Sequence, residues 1–153
     1  MRRKDREQSS EFALEILRDC EYAVLATANP DGTPYCIPIS PVLIDGAIYF
    51  HCALEGKKLD NILSNPSVCI TAVRHTKLLP EKFTTEFESA VARGICKIID
   101  SQEEKISVLQ VICEKYAAGN IKNADRMIAA SLPRTGVCKI IIDEVTGKAN
   151  MPT

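Results

Sequence analysis

The chain has 153 residues, of which 46% are apolar and 25% charged, with a formal net charge of −1. This is the length of one domain with a single sizeable core, so one domain over residues 1–153 is expected. The balanced charge argues against a global basic field for nucleic acid or an anionic membrane, and no apolar run reaches the roughly 18 residues that a membrane helix needs.

Met1-Arg-Arg-Lys-Asp-Arg-Glu7 is charged and lacks the apolar stretch of a signal peptide, so a cytoplasmic protein with no membrane and no nucleic-acid partner is expected. From Ser9 to Cys20, apolar residues at Phe12, Ala13, Ile16 and Leu17 form a helical stripe, with Ser9 or Ser10 as N-cap. Tyr22 to Ala28 is rich in β-formers, and Asn29-Pro-Asp-Gly32 is a turn signal. A second strand is predicted from Thr33 to about Leu43, a tight turn at Asp45-Gly46, and a third strand from Ala47 to Ala53. These three would form a meander. Glu55 to Ser64 reads as a short helix stopped by Asn65-Pro66.

Ser67 to Val73 is a fourth strand, and residues 75–85, polar and containing Pro80, are predicted as a loop. Glu86 to Ile99 is a long fifth strand in which Gly94 marks a bulge or corner. Ser101-Gln-Glu-Glu104 is a capping box that opens a helix running to about Ala118. A short helix over 121–132 and a last strand from Gly136 to Ile142, running on towards Val145, complete the chain. The pattern predicts a mainly β fold, a six-stranded antiparallel barrel with peripheral helices. Neither GxGxxG nor GxxxxGK[ST] occurs.

The seven cysteines (20, 36, 52, 69, 96, 113, 138) are at least 16 residues apart and include no CxxC pair, which argues against a zinc site. Most lie in apolar runs and read as buried, reduced thiols, with Cys52 set apart by its neighbours. The segment Ile48-Tyr-Phe-His-Cys-Ala-Leu-Glu-Gly-Lys-Lys58 puts a histidine at a strand end and a Gly-Lys-Lys at a helix start. A helix N-terminus offers free N–H groups and positive dipole to a phosphate. Two lysines oppose that dipole unless an anion is bound, although a solvated pair is the commoner fate of such a dipeptide.

Leu25-Ala26-Thr27, Asp31-Gly32, Pro34-Tyr35, Pro38, Asp45-Gly46, Ile48-Tyr49-Phe50-His51, Ala53, Gly56-Lys57-Lys58, Ile62, Asn65-Pro66 and Val68 follow one another in a characteristic order. With Phe87-Glu88-Ser89, Gly94 and Glu103-Glu104-Lys105, this series resembles the nitroimidazole-resistance (Nim) branch of the pyridoxamine-phosphate-oxidase-like family over residues 5–148. The resemblance implies an FMN-binding split β-barrel, a homodimer with FMN at the interface, and a small-molecule substrate. By the same match, Lys57 and Lys58 bind the FMN phosphate, and Cys36, Ile37, Pro38, Ile39 and Ser40 lie along the isoalloxazine ring. His51 and Cys52 touch the flavin, His51 as the candidate catalytic residue, and Ser89 is a contact from the second subunit. No metal ligand is implied. His75 has no matching motif and reads as surface; Arg74 and Arg93 are further basic residues that nothing singles out.

Pyridoxamine-phosphate oxidases proper share a C-terminal segment with Arg and Trp that grips pyridoxal phosphate, and this chain has no Trp. That activity is therefore not expected. The resemblance implies an oxidoreductase acting on small organic, nitroaromatic acceptors. Two alternatives stay open: a non-catalytic FMN-binding or redox-sensing module, and a haem-binding split barrel with His51 on the iron.

Overall fold

The computed structural model describes residues 2–151. Eight strands are present: β1 (Glu7–Gln8), β2 (Ala23–Ala28), β3 (Pro34–Ile39), β4 (Val42–Ile44), β5 (Ala47–Ala53), β6 (Ser67–Leu79), β7 (Thr84–Ile98) and β8 (Thr135–Asn150). Four α-helices, α1 (Ser10–Asp19), α2 (Lys57–Ser64), α3 (Gln102–Tyr116) and α4 (Ala124–Ser131), complete it with short 3-10 turns. Ser9 caps α1 by accepting from Phe12 N at 3.1 Å, and Ser101 caps α3 by accepting from Glu104 N at 3.2 Å.

All pairings are antiparallel, in the order β3-β2-β6-β7-β8-β5-β4, with β1 added to β8. The sheet is not closed by hydrogen bonds. Its two edges, β3 and β4, are consecutive in the chain and are joined only by Ser40-Pro41. A two-residue link forces the edges together at one point, so the sheet curls into a split barrel. Prolines at 34, 38 and 41 remove backbone donors along this seam, which blocks a ladder there.

Three expectations are corrected. There are eight strands rather than six, because a break at Ser40-Pro41 splits the second predicted strand and the two-residue β1 carries no pattern of its own. The meander does not form: β2–β3 and β4–β5 are separate hairpins at opposite edges. Residues 75–85 are not a loop, since Lys77, Leu78 and Leu79 pair with Glu86, Thr85 and Thr84 across a hairpin. Both faces of that ribbon meet water, so the alternation that betrays a strand is missing. Leu78 is 76% and Phe83 97% exposed at its tip.

α1 plugs the barrel, with Ala13, Ile16 and Leu17 packed against Leu25, Phe50, Ile70, Ala92 and Ile140. Full burial of a side chain such as Phe50 contributes about 1.5–3 kcal/mol. A second core under α3 and α4 joins Leu109, Ile112 and Ile128 to Val42, Tyr49 and Val137. β5 is covered on both faces: Ile48, Phe50 and Cys52 enter the barrel, while Ala47 and Tyr49 face the helices. Gly94 sits where the β7–β8 register shifts, and a Cβ there would lie 2.0 Å from the Ile141 carbonyl oxygen. Only glycine lets the two strands approach so closely.

Candidate functional site

α2 begins at Gly56, whose φ of +130° lies where side-chain-bearing residues are strained. The Gly56 carbonyl accepts from Leu59 N at 2.9 Å and Asp60 N at 3.2 Å, which starts the helix and leaves its first N–H groups facing outward. Lys57 is exposed and Lys58 partly exposed. Neither belongs to an ion pair among the described residues. Lys57 acts electrostatically on Asp31 in the β2–β3 turn, and Lys58 acts on His51 and Cys52. The helix start therefore stands between that turn and the end of β5.

The inner face of α2 carries Leu59, Ile62 and, unexpectedly, Asn61, which has no exposed surface. Asn61 Nδ2 donates to Thr27 Oγ1 at 3.0 Å, and Thr27 Oγ1 donates to the Tyr35 carbonyl at 3.4 Å. Two buried side-chain acceptors, Asn61 Oδ1 and Asn29 Oδ1, have no partner among the described residues. The turn itself is held tightly: Asp31 Oδ1 accepts from Thr33 N at 3.0 Å and Thr33 Oγ1 at 2.6 Å, bonds that depress the Asp31 pKa.

β3 follows this turn. Cys36 and Pro38 point outward, Ile37 and Ile39 inward, and Ser40 opens the link to β4. Because β3 pairs only with β2, the backbone of 36–40 presents an open edge with unused carbonyls and, Pro38 excepted, unused N–H groups.

His51 and Cys52 are neighbours that face opposite ways, as successive strand residues must. Cys52 points into the barrel against Cys138. Its contact with the Cys138 thiol, together with burial, drives it far above the ordinary thiol range. Cys138 is pushed up to about 12: the Cys52 contact favours its thiolate, but Cys96 and burial outweigh this. Such thiols are inert. His51 instead lines a cavity of about 340 Å³ between β5 and the α3–α4 pair, with Leu109, Ile112, Tyr116 and Met127. Burial, and then Lys58, lowers its pKa below the usual 6.5. The other hydroxyls here are engaged within the protein: Thr135 with Ser131 O, Ser131 with Ile128 O, and Tyr116 with Pro41 O. The imidazole is left as the polar group that a ligand in this apolar space would meet.

Ser89 lies on the outer face of β7 between Val73 and Lys148, donating to Lys148 O at 3.3 Å. It is six residues along the ladder from the Ser67–Ile95 pair that follows α2, or about 20 Å. A single chain thus brings the Lys57–Lys58 start of α2 near the Asp31 turn that leads into β3 and near His51, whereas Ser89 lies apart.

A larger cavity, about 600 Å³, is lined by Arg3, Arg6, Phe12, Glu88 and Asn150; Glu88 belongs to the motif series, but none of the candidate site residues lines it. Arg3 is paired with Asp5, and Glu88 with Arg74 and His75, so its main charges are already compensated. Arg74 and Arg93 are likewise engaged, by Glu88 and Asp19 and by Glu144. His75 is at the surface as expected, 64% exposed, and occupies the β6 bulge at φ +52° with Nδ1 3.2 Å from the Glu88 carboxylate. Sequence reading missed Asn61 and, although Thr27 and Glu88 stand in the motif series, assigned those two no role. For Asn61 the only local signal was an asparagine on an apolar helix stripe.

Residues 9–149 match the family described as Pyridoxamine 5'-phosphate oxidase. A candidate 5-nitroimidazole antibiotic resistance protein from Bacteroides thetaiotaomicron is 24% identical, over 93% of this chain and 84% of that one, with TM-score 0.76. A conserved hypothetical protein from Mycobacterium tuberculosis is 17% identical, over 99% of this chain and 95% of that one, with TM-score 0.83. An FAD-binding protein from Mesorhizobium loti is 22% identical, over 95% of this chain and 98% of that one, with TM-score 0.68. At such identities the likeness is one of fold. No curated protein matches the sequence. The match over 9–149, on a split barrel carrying this strand-and-helix site, makes the chain a member of the pyridoxamine 5'-phosphate oxidase family.

Proposed function

We propose that the chain binds FMN, with the phosphate at Gly56-Lys57-Lys58 and the ring along Cys36–Ser40. In this reading it works as a homodimeric oxidoreductase on small organic acceptors, nitroaromatic compounds among them. The observation that carries the proposal is a helix N-terminus bearing two lysines that belong to no ion pair among the described residues, set beside an open strand edge. The residues present fit the group. The lysines and free N–H groups suit a phosphate dianion, and the edge backbone suits a ring of alternating donors and acceptors. The FAD-binding neighbour supports a flavin, and a terminal monophosphate favours FMN over FAD at such a site.

A bound flavin would supply the electron transfer. The chain's own residues would do the rest. Lys57 and Lys58 anchor one end, the β3 backbone orients the other, and His51, neutral at pH 7, holds an acceptor by a hydrogen bond in its apolar cavity. Ser89, about 20 Å along the ladder, takes part only from a second copy, which is why a dimer belongs to this reading.

The test is titration of flavin-free protein with FMN, FAD and riboflavin, followed by absorbance and flavin fluorescence. FMN should bind tightest. Each charge-assisted phosphate contact is worth about 1.5–3 kcal/mol, less for the exposed Lys57, so Lys57→Ala/Lys58→Ala should weaken FMN by about tenfold to a hundredfold. Unchanged affinity would remove the phosphate assignment. Bleaching of the bound flavin by NAD(P)H separates an oxidoreductase from a non-catalytic module.

A further inference from the structure

Asn61 is the anomaly of this site. An amphipathic helix buries apolar residues, and Leu59 and Ile62 do so on α2, yet the asparagine between them is wholly buried. Its Oδ1 has no partner among the described residues, a condition that costs about 1–3 kcal/mol relative to a satisfied group. A leucine, of the same branched shape though larger, would leave no acceptor unsatisfied. A residue that weakens the fold it sits in is explained by what its other atom does.

That atom is Nδ2, which donates to Thr27 Oγ1 at 3.0 Å. Thr27, itself 5% exposed, passes the tether on to the Tyr35 carbonyl at 3.4 Å. The relay runs from the second turn of α2, across β2, to the residue before Cys36 on β3. Its two ends are the two halves of the site: the helix whose first residues are Lys57 and Lys58, and the strand edge over 36–40. Apolar packing alone lets a short helix slide by fractions of an ångström, whereas a directed hydrogen bond does not.

We infer that Asn61, acting through Thr27, is a positioning residue that fixes the distance between the phosphate-binding helix start and the ring-binding strand edge. It touches no ligand. Its effect is to let one molecule use both ends at once, so it selects a phosphorylated flavin over one that lacks the phosphate. The inference rests on the phosphate reading of Lys57 and Lys58 given above.

The experiment compares FMN and riboflavin affinities, by fluorescence titration, in wild type, Asn61→Leu, Thr27→Val and the double variant, each with its thermal midpoint. Asn61→Leu should fold with an equal or higher midpoint and lose FMN affinity about tenfold, the worth of one hydrogen bond, while riboflavin binding stays the same. Thr27→Val breaks the same relay from its other end and keeps the β-branched shape. It should show the same loss, and the double variant should show no more than either single one. A folded Asn61→Leu with an unchanged FMN-to-riboflavin ratio overturns the inference. If that variant does not fold, an unchanged ratio in Thr27→Val overturns it instead. Lys57→Ala/Lys58→Ala is the control. Loss of FMN preference there but not in the relay variants leaves the phosphate site standing and removes Asn61. No preference for FMN in wild type removes both.

Discussion

Tyr116 donates its hydroxyl to the Pro41 carbonyl at 2.7 Å, and Lys115 donates to the same oxygen at 2.9 Å. Pro41 lies fully buried in the two-residue link between the sheet's two edges. The last turn of α3 therefore holds a seam that no strand ladder closes. Tyr116→Phe should cost about 1 kcal/mol of stability in urea unfolding. Adding Lys115→Met should cost more than the two single losses summed, because the Pro41 oxygen then loses both its donors.

Glu88 should show itself in acid. Burial disfavours its charge, but hydrogen bonds from Arg74 and His75 outweigh this and hold its pKa below the usual 4.5. A depressed carboxylate pKa contributes stability that is present above the unfolded value and is lost as pH falls through the folded one. Glu88→Gln should therefore be less stable than wild type at pH 7. The gap should narrow as pH drops below 4.5, as read from unfolding midpoints at pH 7 and about pH 3.

His51 titrates in a different window. Burial, with Lys58 adding to it, lowers its pKa below 6.5, so the folded chain resists protonation more than the unfolded one does. Stability tied to this group is present above pH 6.5 and lost as pH falls below it. Thermal midpoints at pH 7.5 and 5.5 should fall less for His51→Gln than for wild type. On the proposed function, His51→Ala lowers turnover more than flavin affinity; the reverse order in a titration and a steady-state assay would place the imidazole against the cofactor instead.

The thiols divide by exposure. Cys36 is exposed, Cys69 and Cys113 are partly so, and Cys20, Cys52, Cys96 and Cys138 are buried. A thiol-reactive dye should label Cys36 first in the native protein and the buried four only after unfolding, with mass spectrometry of peptides as the readout. Prompt labelling of Cys52 would show that its strand opens.

What the sequence determined by itself was whatever a few adjacent residues decide. The caps at Ser9 and Ser101, the turns at Asn29–Gly32 and Asp45-Gly46, the Ala47–Ala53 strand and the glycine at 94 all follow from local backbone chemistry or alternation. The resemblance likewise pointed to the right barrel family. The partners of those elements were decided elsewhere, since pairing is a long-range choice. β3 keeps its expected pairing with β2, but β5 pairs with β4 and β8 instead of β3, because the chain breaks at Ser40-Pro41 between β3 and β4. The Lys77–Thr85 hairpin was hidden because a ribbon solvated on both faces has no alternation. His51 and Cys52 read as a pair, but the pleat sends one to the α3–α4 cavity and the other into the barrel. Asn61 passed as an ordinary helix residue until folding buried it against Thr27. Which side chains share a space depends on how distant strands pack, and no neighbouring residue carries that information.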